Sequence, residues 1–465
     1  MTEPAKNTAE LARVPHIIKG ETFTGTAQVF GPPHAAFATP ALDLNQLVWP
    51  RTEPGPAFDL PLAEIMDVLV ATGERMVRDP DGIMARALSE ARKTSPLDPK
   101  VLEDDYARLG THLNRGAMTA MVANELGGAD VLDGWRELRT GYGQHARVRA
   151  FPPRLVHILA GNAPGVSVLS IMRGSLVKGV NLLKLPSNDL FTAGAVLQVM
   201  ASIAPGHPLL RSFSAVYWRG GDTNVESHLL RPQFFDKLVA WGGESALQSA
   251  KKYIGPGLEL VAFDPKTSIS MIGREAFGSA ESLAAVARLA GDDATPYNQA
   301  ACVSSRIQFI EASDEDADRY CALLLEELGM ARPTCPAVSA TASSETREQV
   351  DALRDLEPDY RVFGKFDGRG VVIRSAEPVD FYPDRKMVNV VPVRSLREAV
   401  RFANVATQTV GVFPAVRKVE LRDALASAGV QRVVSLGKAV GPGPGLPHDG
   451  FYPLHRFVRW VNDED

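Results

Sequence analysis

Hydrophobic and polar positions follow two rhythms along this chain, and each change of rhythm marks a part of it. Leu62, Ile65, Met66, Leu69 and Val70 recur at helical spacing. Residues 83–92, 102–113 and 118–126 repeat that pattern, the Gly127-Gly128 pair ends it, and a short helix over 131–138 comes next. From Arg154 the rhythm changes. Apolar runs of strand length at 155–160, 180–184, 213–218, 238–241 and 258–263 alternate with helical patterns at 166–177, 190–203 and 244–253, and a weaker one before Phe235. This alternation predicts a parallel sheet with helices on both faces, whose ligands sit beyond the carboxyl ends of its strands. A second α/β unit comes after it, with strands at 268–272, 306–310, 370–373, 388–393, 409–413 and 432–436, and helices at 281–290, 314–328, 395–403 and 415–426. Residues 339–346 are small and polar and read as a loop. Residues 441–445 read as a rigid turn, and 457–461 as a last strand that needs a sheet edge, which another subunit could supply.

Proline usage separates off the start of the chain. Pro4, Pro15, Pro32, Pro33, Pro40, Pro50, Pro54, Pro56 and Pro61 exclude long helices there and leave an extended arm with short strands. The expected parts are this arm (1–61), a helical region (62–150) packed on the first α/β unit, that unit itself (151–265), the second α/β unit (266–437) and a terminal turn with its strand (438–465).

Composition narrows the partners. The chain has 465 residues, long enough to bury a core without disulfides or metal. Its formal net charge of −5 argues against a nucleic-acid partner. Every apolar run is broken well before the roughly 18 residues a membrane span needs, so none is expected. Met1 to Gly20 has early acids and no apolar core, so no secretory signal is expected either. Three cysteines without CxxC spacing provide no disulfide framework, and the nine histidines form no HxxxH pair. A reducing cytoplasm and a metal-free enzyme are the expectation.

The candidate chemistry lies at the strand ends. Cys302, in Pro296–Arg306, has small and amide neighbours that would let a substrate approach a thiolate. The competing reading is a small buried hydrophobe, which also suits Cys321 on its apolar helical face. Gly161-Asn162-Ala163-Pro164-Gly165 is a glycine-rich strand–helix turn but not GxGxxG. Asn162 either caps the next helix or donates its amide to a developing oxyanion. Lys184 ends a strand, where it meets either a cofactor or solvent. Gly242 and Gly243 before Glu244 permit close ligand approach or simply a sharp turn. His448, in Pro447-His448-Asp449-Gly450, is a turn residue or an acid–base group.

These pieces, with LLKLPSND, VAWGGESA, NQAACVSS, VNVVPVRSLREAVRFAN and GVQRVVSLGKAVGPGPGLPHDG in this order, resemble the aldehyde dehydrogenase superfamily and most closely its LuxC-type acyl-CoA reductases. The resemblance covers the chain from about Leu62 to its end. It implies a Rossmann-type cofactor domain, an α/β catalytic domain and a small β oligomerisation element, in a homo-oligomer. It implies reduction of an acyl thioester to an aldehyde with NADPH, or NADH, through an acyl-cysteine. Cys302 would be the nucleophile, and Asn162 with the Cys302 N–H the oxyanion hole. Lys184 and Ser187 would border the adenosine ribose, and Gly242, Gly243 and Glu244 the rest of the cofactor cleft. The donor would be acyl-CoA, a carrier protein or a partner acyl-transferring enzyme.

Departures from the family pattern carry information. Ala262 stands where oxidising members place their general-base glutamate, Glu259 being the nearest acid. Tyr382 stands near the usual nicotinamide-ribose glutamate, and Gln299 lies one residue further upstream than usual. Ser187 stands where NAD-specific members often place a carboxylate, with Asp189 two residues on. The rival reading within this fold is aldehyde oxidation with Glu259 as base; outside catalysis it is a scaffold of the same fold.

Overall fold

The computed structural model describes residues 11–139, 141–441 and 443–464. Pro4, Pro442 and the first ten residues of the arm lie outside the described residues.

The proline-rich arm forms β1 (Ala12–Arg13), β2 (His16–Ile18), β3 (Glu21–Phe23), β4 (Gln28–Phe30) and β5 (Phe37–Thr39). Strands β1, β5 and β4 make a small sheet, while β2 and β3 extend the edge of the first large one. Next come α1 (Leu62–Arg78), α2 (Ile83–Thr94), α3 (Pro99–Tyr106), α4 (Arg115–Leu126) and α5 (Asp130–Asp133), then β6 (Arg136–Arg139) and β7 (His145–Phe151). Two expectations fail here. The helix expected over 102–113 ends at Tyr106, and Leu109–His112 is a separate 3-10 turn. That turn crosses α1 so closely that a Cβ on Gly110 would fall 2.3 Å from the Gly73 carbonyl oxygen. The helix expected over 131–138 stops at Gly134, because residues 136–139 form a hairpin strand with β7.

The first large sheet contains β8 (Arg154–Ile158), β9 (Val180–Lys184), β10 (Phe213–Val216), β11 (Lys237–Trp241) and β12 (Glu259–Phe263), with α6 (Gly165–Leu176), α7 (Thr192–Ile203), α8 (Pro208–Arg211), α9 (Thr223–Leu229) and α10 (Glu244–Lys251) between them. Its order is β12-β11-β8-β9-β10-β2-β3; β8 to β12 run parallel and the arm strands antiparallel. Alternate residues feed two cores: Leu155 and Leu183 pack towards α6 and α7, Val156 and Leu182 towards the opposite face.

The second large sheet is built from β13 (Thr267–Ile272), α11 (Ala280–Ala294), β14 (Ser305–Ile310), α12 (Asp314–Leu328), α13 (Ser344–Arg354), β15 (Tyr360–Lys365), β16 (Gly370–Ser375), β17 (Met387–Pro392), α14 (Leu396–Ala399), β18 (Thr407–Phe413), α15 (Lys418–Ala428) and β19 (Arg432–Ser435). Its order is β15-β16-β17-β14-β13-β18-β19, parallel except for β15. The loop expected over 339–346 ends early, because the Ser343 side chain accepts from the Thr346 N–H at 3.1 Å and starts α13. The helix expected over 395–403 leaves α-geometry after Ala399, and the one expected over 415–426 begins as a 3-10 turn, with α15 starting at Lys418.

The terminal strand also differs from expectation. Phe457 closes a short helix, α16 (Pro453–Phe457), and β20 (Arg459–Glu464) comes after it. It pairs antiparallel with β7 of the same chain, from Arg459 opposite Phe151 to Glu464 opposite Ala146. The sheet edge it needs is therefore supplied within the chain. Among the described residues no helix is long and apolar enough to cross a membrane.

Glu311 locks the second unit. Its carboxylate takes Arg417 Nη1 at 2.8 Å and Nη2 at 3.0 Å, the Leu396 N–H at 2.7 Å and the Arg274 N–H at 3.2 Å. Burial alone would raise its pKa, but these donors outweigh burial and hold it at about 2. Arg417→Ala is expected to cost about 2 kcal/mol in urea denaturation at neutral pH, less than for a fully stripped buried pair because the backbone donors remain. The group's pKa is depressed, so its stabilisation is complete above 4.5 and fades as pH falls towards about 2. The gap between wild type and variant should close over that window.

Candidate active site

Three turns that are distant in sequence meet because β11, β8 and β9 are neighbours in register, with Ala240 opposite Ile158 and Ile158 opposite Lys184. Gly161-Asn162, Leu185 to Ser187 and Gly242-Gly243 therefore share one end of the first sheet. The amino-terminal ends of β13, β14 and β18 face this end, and Cys302 lies just before β14.

The turn before Cys302 is conformationally costly. Tyr297, Asn298 and Gln299 have φ of 52, 52 and 69°, the left-handed region that non-glycine residues rarely occupy. Specific bonds hold it there. The Gln299 amide donates to the Met387 carbonyl at 2.7 Å and accepts from the Met387 N–H at 3.0 Å. The Thr334 carbonyl accepts from the Asn298 N–H at 3.1 Å. Buried Arg306 donates to the Gln299 and Pro383 carbonyls, and its guanidinium lies 4.1 Å from the Tyr382 ring centre. Ser268 Oγ donates to the Cys302 carbonyl at 2.8 Å. Functional sites are where such strain is kept.

The Cys302 residue is exposed, whereas Cys321 and Cys335 are buried. Its thiol is nonetheless crowded by protein. That crowding, then Asp449, pushes the thiol pKa up, while Gln408 and the N–H groups of Cys302 and Val303 pull it down; the net direction is up. Gln408 Nε2 lies 3.3 Å from Sγ and 2.7 Å from Asp449 Oδ1.

Asn162 does not cap the next helix, whose N-cap is Pro164. Its amide instead crosses between the units and donates to the Ala300 carbonyl at 3.4 Å, two residues before the sulfur. Gly161 beside it leaves room for the Asn188 amide, which a Cβ there would push aside. Asp105 of α3 ties the two loops together: its carboxylate accepts from the Tyr297 hydroxyl and from the Gly165 N–H, the latter at 3.3 Å.

Of the residues expected to line a cofactor cleft, Lys184 points towards Gly220, with Nζ 5.8 Å from the Tyr217 ring centre. Burial lowers its pKa, and Glu226 opposes that. Ser187 is exposed. Asp189 turns inward, accepting from Thr192 Oγ1 at 2.6 Å and from the Thr192 N–H at 3.3 Å, so it does not stand in for a ribose-binding acid. Gly243 is the N-cap of α10, and nothing lies within 4 Å of where its Cβ would be. Gly242 and exposed Glu244 flank it. Glu259 begins β12 and accepts from Lys237 Nζ at 2.9 Å. It lies four residues, roughly 13 Å, from the strand end that faces the sulfur. His448 packs against Trp241 and Phe263, next to Arg173 Nη2 at 3.3 Å. Burial, then Arg173 and Arg432, holds it neutral with a pKa of about 3.

Gln408, Asp449, Ser268 and Arg306 were not legible as site residues. Arg306 is close to Cys302 in sequence but reads as an ordinary strand residue, whereas Ser268, Gln408 and Asp449 sit in ordinary strand or turn patterns and reach Cys302 only through the tertiary fold. Among the described residues no cluster of three or more His, Cys, Asp or Glu is placed to hold a metal.

Two parallel α/β units with a cysteine turn at their seam define the aldehyde dehydrogenase fold. An oxidoreductase from Marinobacter aquaeolei matches it with a TM-score of 0.70 at 14% identity, over 100% of both chains. The aldehyde dehydrogenase KauB from Pseudomonas aeruginosa matches at 0.72 and 14% identity, over 97% of this chain and 96% of that one. Within the fold, a family model described as acyl-CoA reductase (LuxC) matches residues 57–460. The long-chain acyl-protein thioester reductase of Photorhabdus laumondii subsp. laumondii is 30% identical over 355 residues, 76% of this chain and 71% of the relative. That of Vibrio harveyi is 29% identical, over 76% of this chain and 72% of the relative. The chain belongs to the LuxC acyl-CoA reductase family and is an enzyme of the oxidoreductase class.

Proposed function

We propose that this protein reduces a fatty acyl thioester to the aldehyde, with NADPH as reductant and an acyl-cysteine at Cys302 as intermediate. The observation that carries this reading is an exposed residue, Cys302, on a strained, braced turn, with the Asn162 amide bonded to the same turn from the other unit.

The chemistry comes from the residues. Cys302 as thiolate attacks the thioester carbonyl, and the oxyanion forms where the Asn162 amide and the Cys302 N–H donate. Collapse expels the donor as a thiolate, which takes up a proton, and leaves the acyl group on Cys302. Open space at Gly243, the start of α10, and Lys184 suit a dinucleotide, which Lys184, Ser187 and residues 242–244 would hold. A dihydronicotinamide bound there would supply hydride to the acyl carbon held on Cys302. The resulting Cys302 thiohemiacetal then releases aldehyde and restores the thiolate. Ala262 in place of a general base spares the acyl-enzyme from water. The oxidising alternative lacks its base, because Glu259 lies at the far end of β12 and is paired with Lys237.

We assign residues 151–265 to the cofactor domain and 266–437 to the catalytic domain, and place the enzyme in the reducing cytoplasm. Exposed Leu138 and Trp460 on the β6-β7-β20 sheet, with exposed Trp135 just before β6, support a homo-oligomeric interface. The family description names acyl-CoA and the relatives' names an acyl-protein thioester, which supports a donor that is either CoA or a protein, such as a carrier or a partner acyl-transferring enzyme.

The test is incubation with NADPH and a panel of acyl-CoAs and acylated carrier proteins, monitoring loss of reduced-cofactor absorbance and formation of aldehyde. No consumption with any thioester would refute the reading. Cofactor choice has its own test. Ser187 is neutral and Asp189 is turned away, so a 2′-phosphate meets no carboxylate at this position. Ser187→Glu is expected to raise the KM for NADPH about tenfold and leave that for NADH little changed, about 1.4 kcal/mol of discrimination.

A further inference from the structure

The Cys302 sulfur has one side-chain hydrogen-bond partner among the described residues, and it is not one that the family resemblance supplies. Gln408 is the second residue of β18, almost wholly buried, with its amide nitrogen between Sγ at 3.3 Å and Asp449 Oδ1 at 2.7 Å. One NH2 group can serve both acceptors, because its two hydrogens diverge. An ionised carboxylate can only accept, so Asp449 turns the nitrogen, not the oxygen, of the amide into this position. Turned over, Gln408 would set its oxygen against the Asp449 oxygen. Gln408 Oε1 is buried without a partner among the described residues, so nothing on that side pulls the amide the other way. Asp449 is itself placed by the turn in which His448 and Phe451 exchange backbone bonds at 2.9 and 3.2 Å.

We propose that Gln408 is a further catalytic residue, donating a hydrogen bond to the Cys302 sulfur when it carries charge, and that Asp449 is the positioning residue that orients that donor. The sulfur is negative twice in the reaction, as attacking thiolate and as leaving group when the thiohemiacetal collapses. A donor held in place beforehand favours both states. Asp449 has a second, opposite effect, since its own charge disfavours a thiolate nearby. Other charged or titratable groups that act on the sulfur are Arg306, Arg432 and Tyr382, and those that act on Asp449 are Lys266, Asp264 and Arg173, with the neutral His448 ring 3.9 Å from its carboxylate. All of these stay unchanged when Gln408 is replaced by a neutral side chain, so its effect can be isolated.

This inference rests on Cys302 being the nucleophile, and its test needs no substrate. The rate of Cys302 alkylation by iodoacetamide is measured against pH on the full chain, with Cys302→Ala as blank, since the other two cysteines are buried. Gln408→Met keeps the volume and removes the donor. It is expected to move the alkylation midpoint up by about one pH unit and slow alkylation at neutral pH about tenfold. Gln408→Leu should do the same, and thermal melting confirms that each variant is folded. In an Asp449→Ala background the amide is already free to turn, so adding Gln408→Met should shift the midpoint by much less. An unchanged midpoint in both folded Gln408 variants would overturn the donor role. An equal shift in both backgrounds would overturn the positioning role of Asp449. If these shifts appear but wild type consumes no NADPH with any acyl thioester, it is the proposed reaction that fails and not this pair.

Discussion

Cys302→Ala is expected to yield a folded protein that still binds NADPH but neither takes up an acyl group nor consumes cofactor. The fold should survive because the sulfur supports little. The turn around it is braced by Gln299 on the Met387 backbone, Arg306 on two carbonyls and Ser268 on the Cys302 carbonyl, none of which needs the thiol. Turnover should fall by about 10⁴-fold or more, the scale seen when a covalent nucleophile is removed from a working site. Intact-mass measurement after incubation with acyl-CoA and no cofactor gives the cleaner reading. Wild type should gain the mass of one acyl group and the variant none. A variant that retained acylation at one of the buried cysteines would show that Cys302 is not the nucleophile.

Asn162→Ala carries the next largest expectation, a fall of about 10²–10³ in the acylation rate, equivalent to about 3–4 kcal/mol of transition-state stabilisation. The side chain is exposed and its bond to Ala300 is long at 3.4 Å, so little stability depends on it. An amide that faces a carbonyl in the resting protein is free to exchange that partner for an oxyanion. The loss should appear in single-turnover acylation and leave NADPH affinity and the pH midpoint of Cys302 alkylation unchanged. A fall in cofactor affinity of similar size would instead place Asn162 in the dinucleotide cleft.

Some of this chemistry could be read from residue order alone. The strand–helix alternation from Arg154 onward yields both sheets, because their central strands are buried on both faces and read as continuous apolar runs between helical patterns. Lys184 and Trp241 end strands in the sequence and in the structure. Boundaries failed where a local bond overrode composition. Ser343 starts a helix in a stretch that reads as loop, and the pairing of 136–139 with β7 turns a helical pattern into a hairpin.

What the sequence by itself determined is most of the local elements and which atoms are candidates for the chemistry, since hydrophobic periodicity and turn residues act over a few positions. What only the tertiary structure decided is which of those atoms meet. Glu259 and Asp189 look like candidates for the site by spacing. Strand direction sends the first to the amino end of β12, and an inward turn buries the second against Thr192. Gln408 and Asp449 look unremarkable by spacing, yet they reach Cys302 across 106 residues and, through Gln408, a further 41. The physical reason is that the first sheet offers its carboxyl ends and the second its amino ends to one seam, and that juxtaposition is written in strand order rather than in any local pattern.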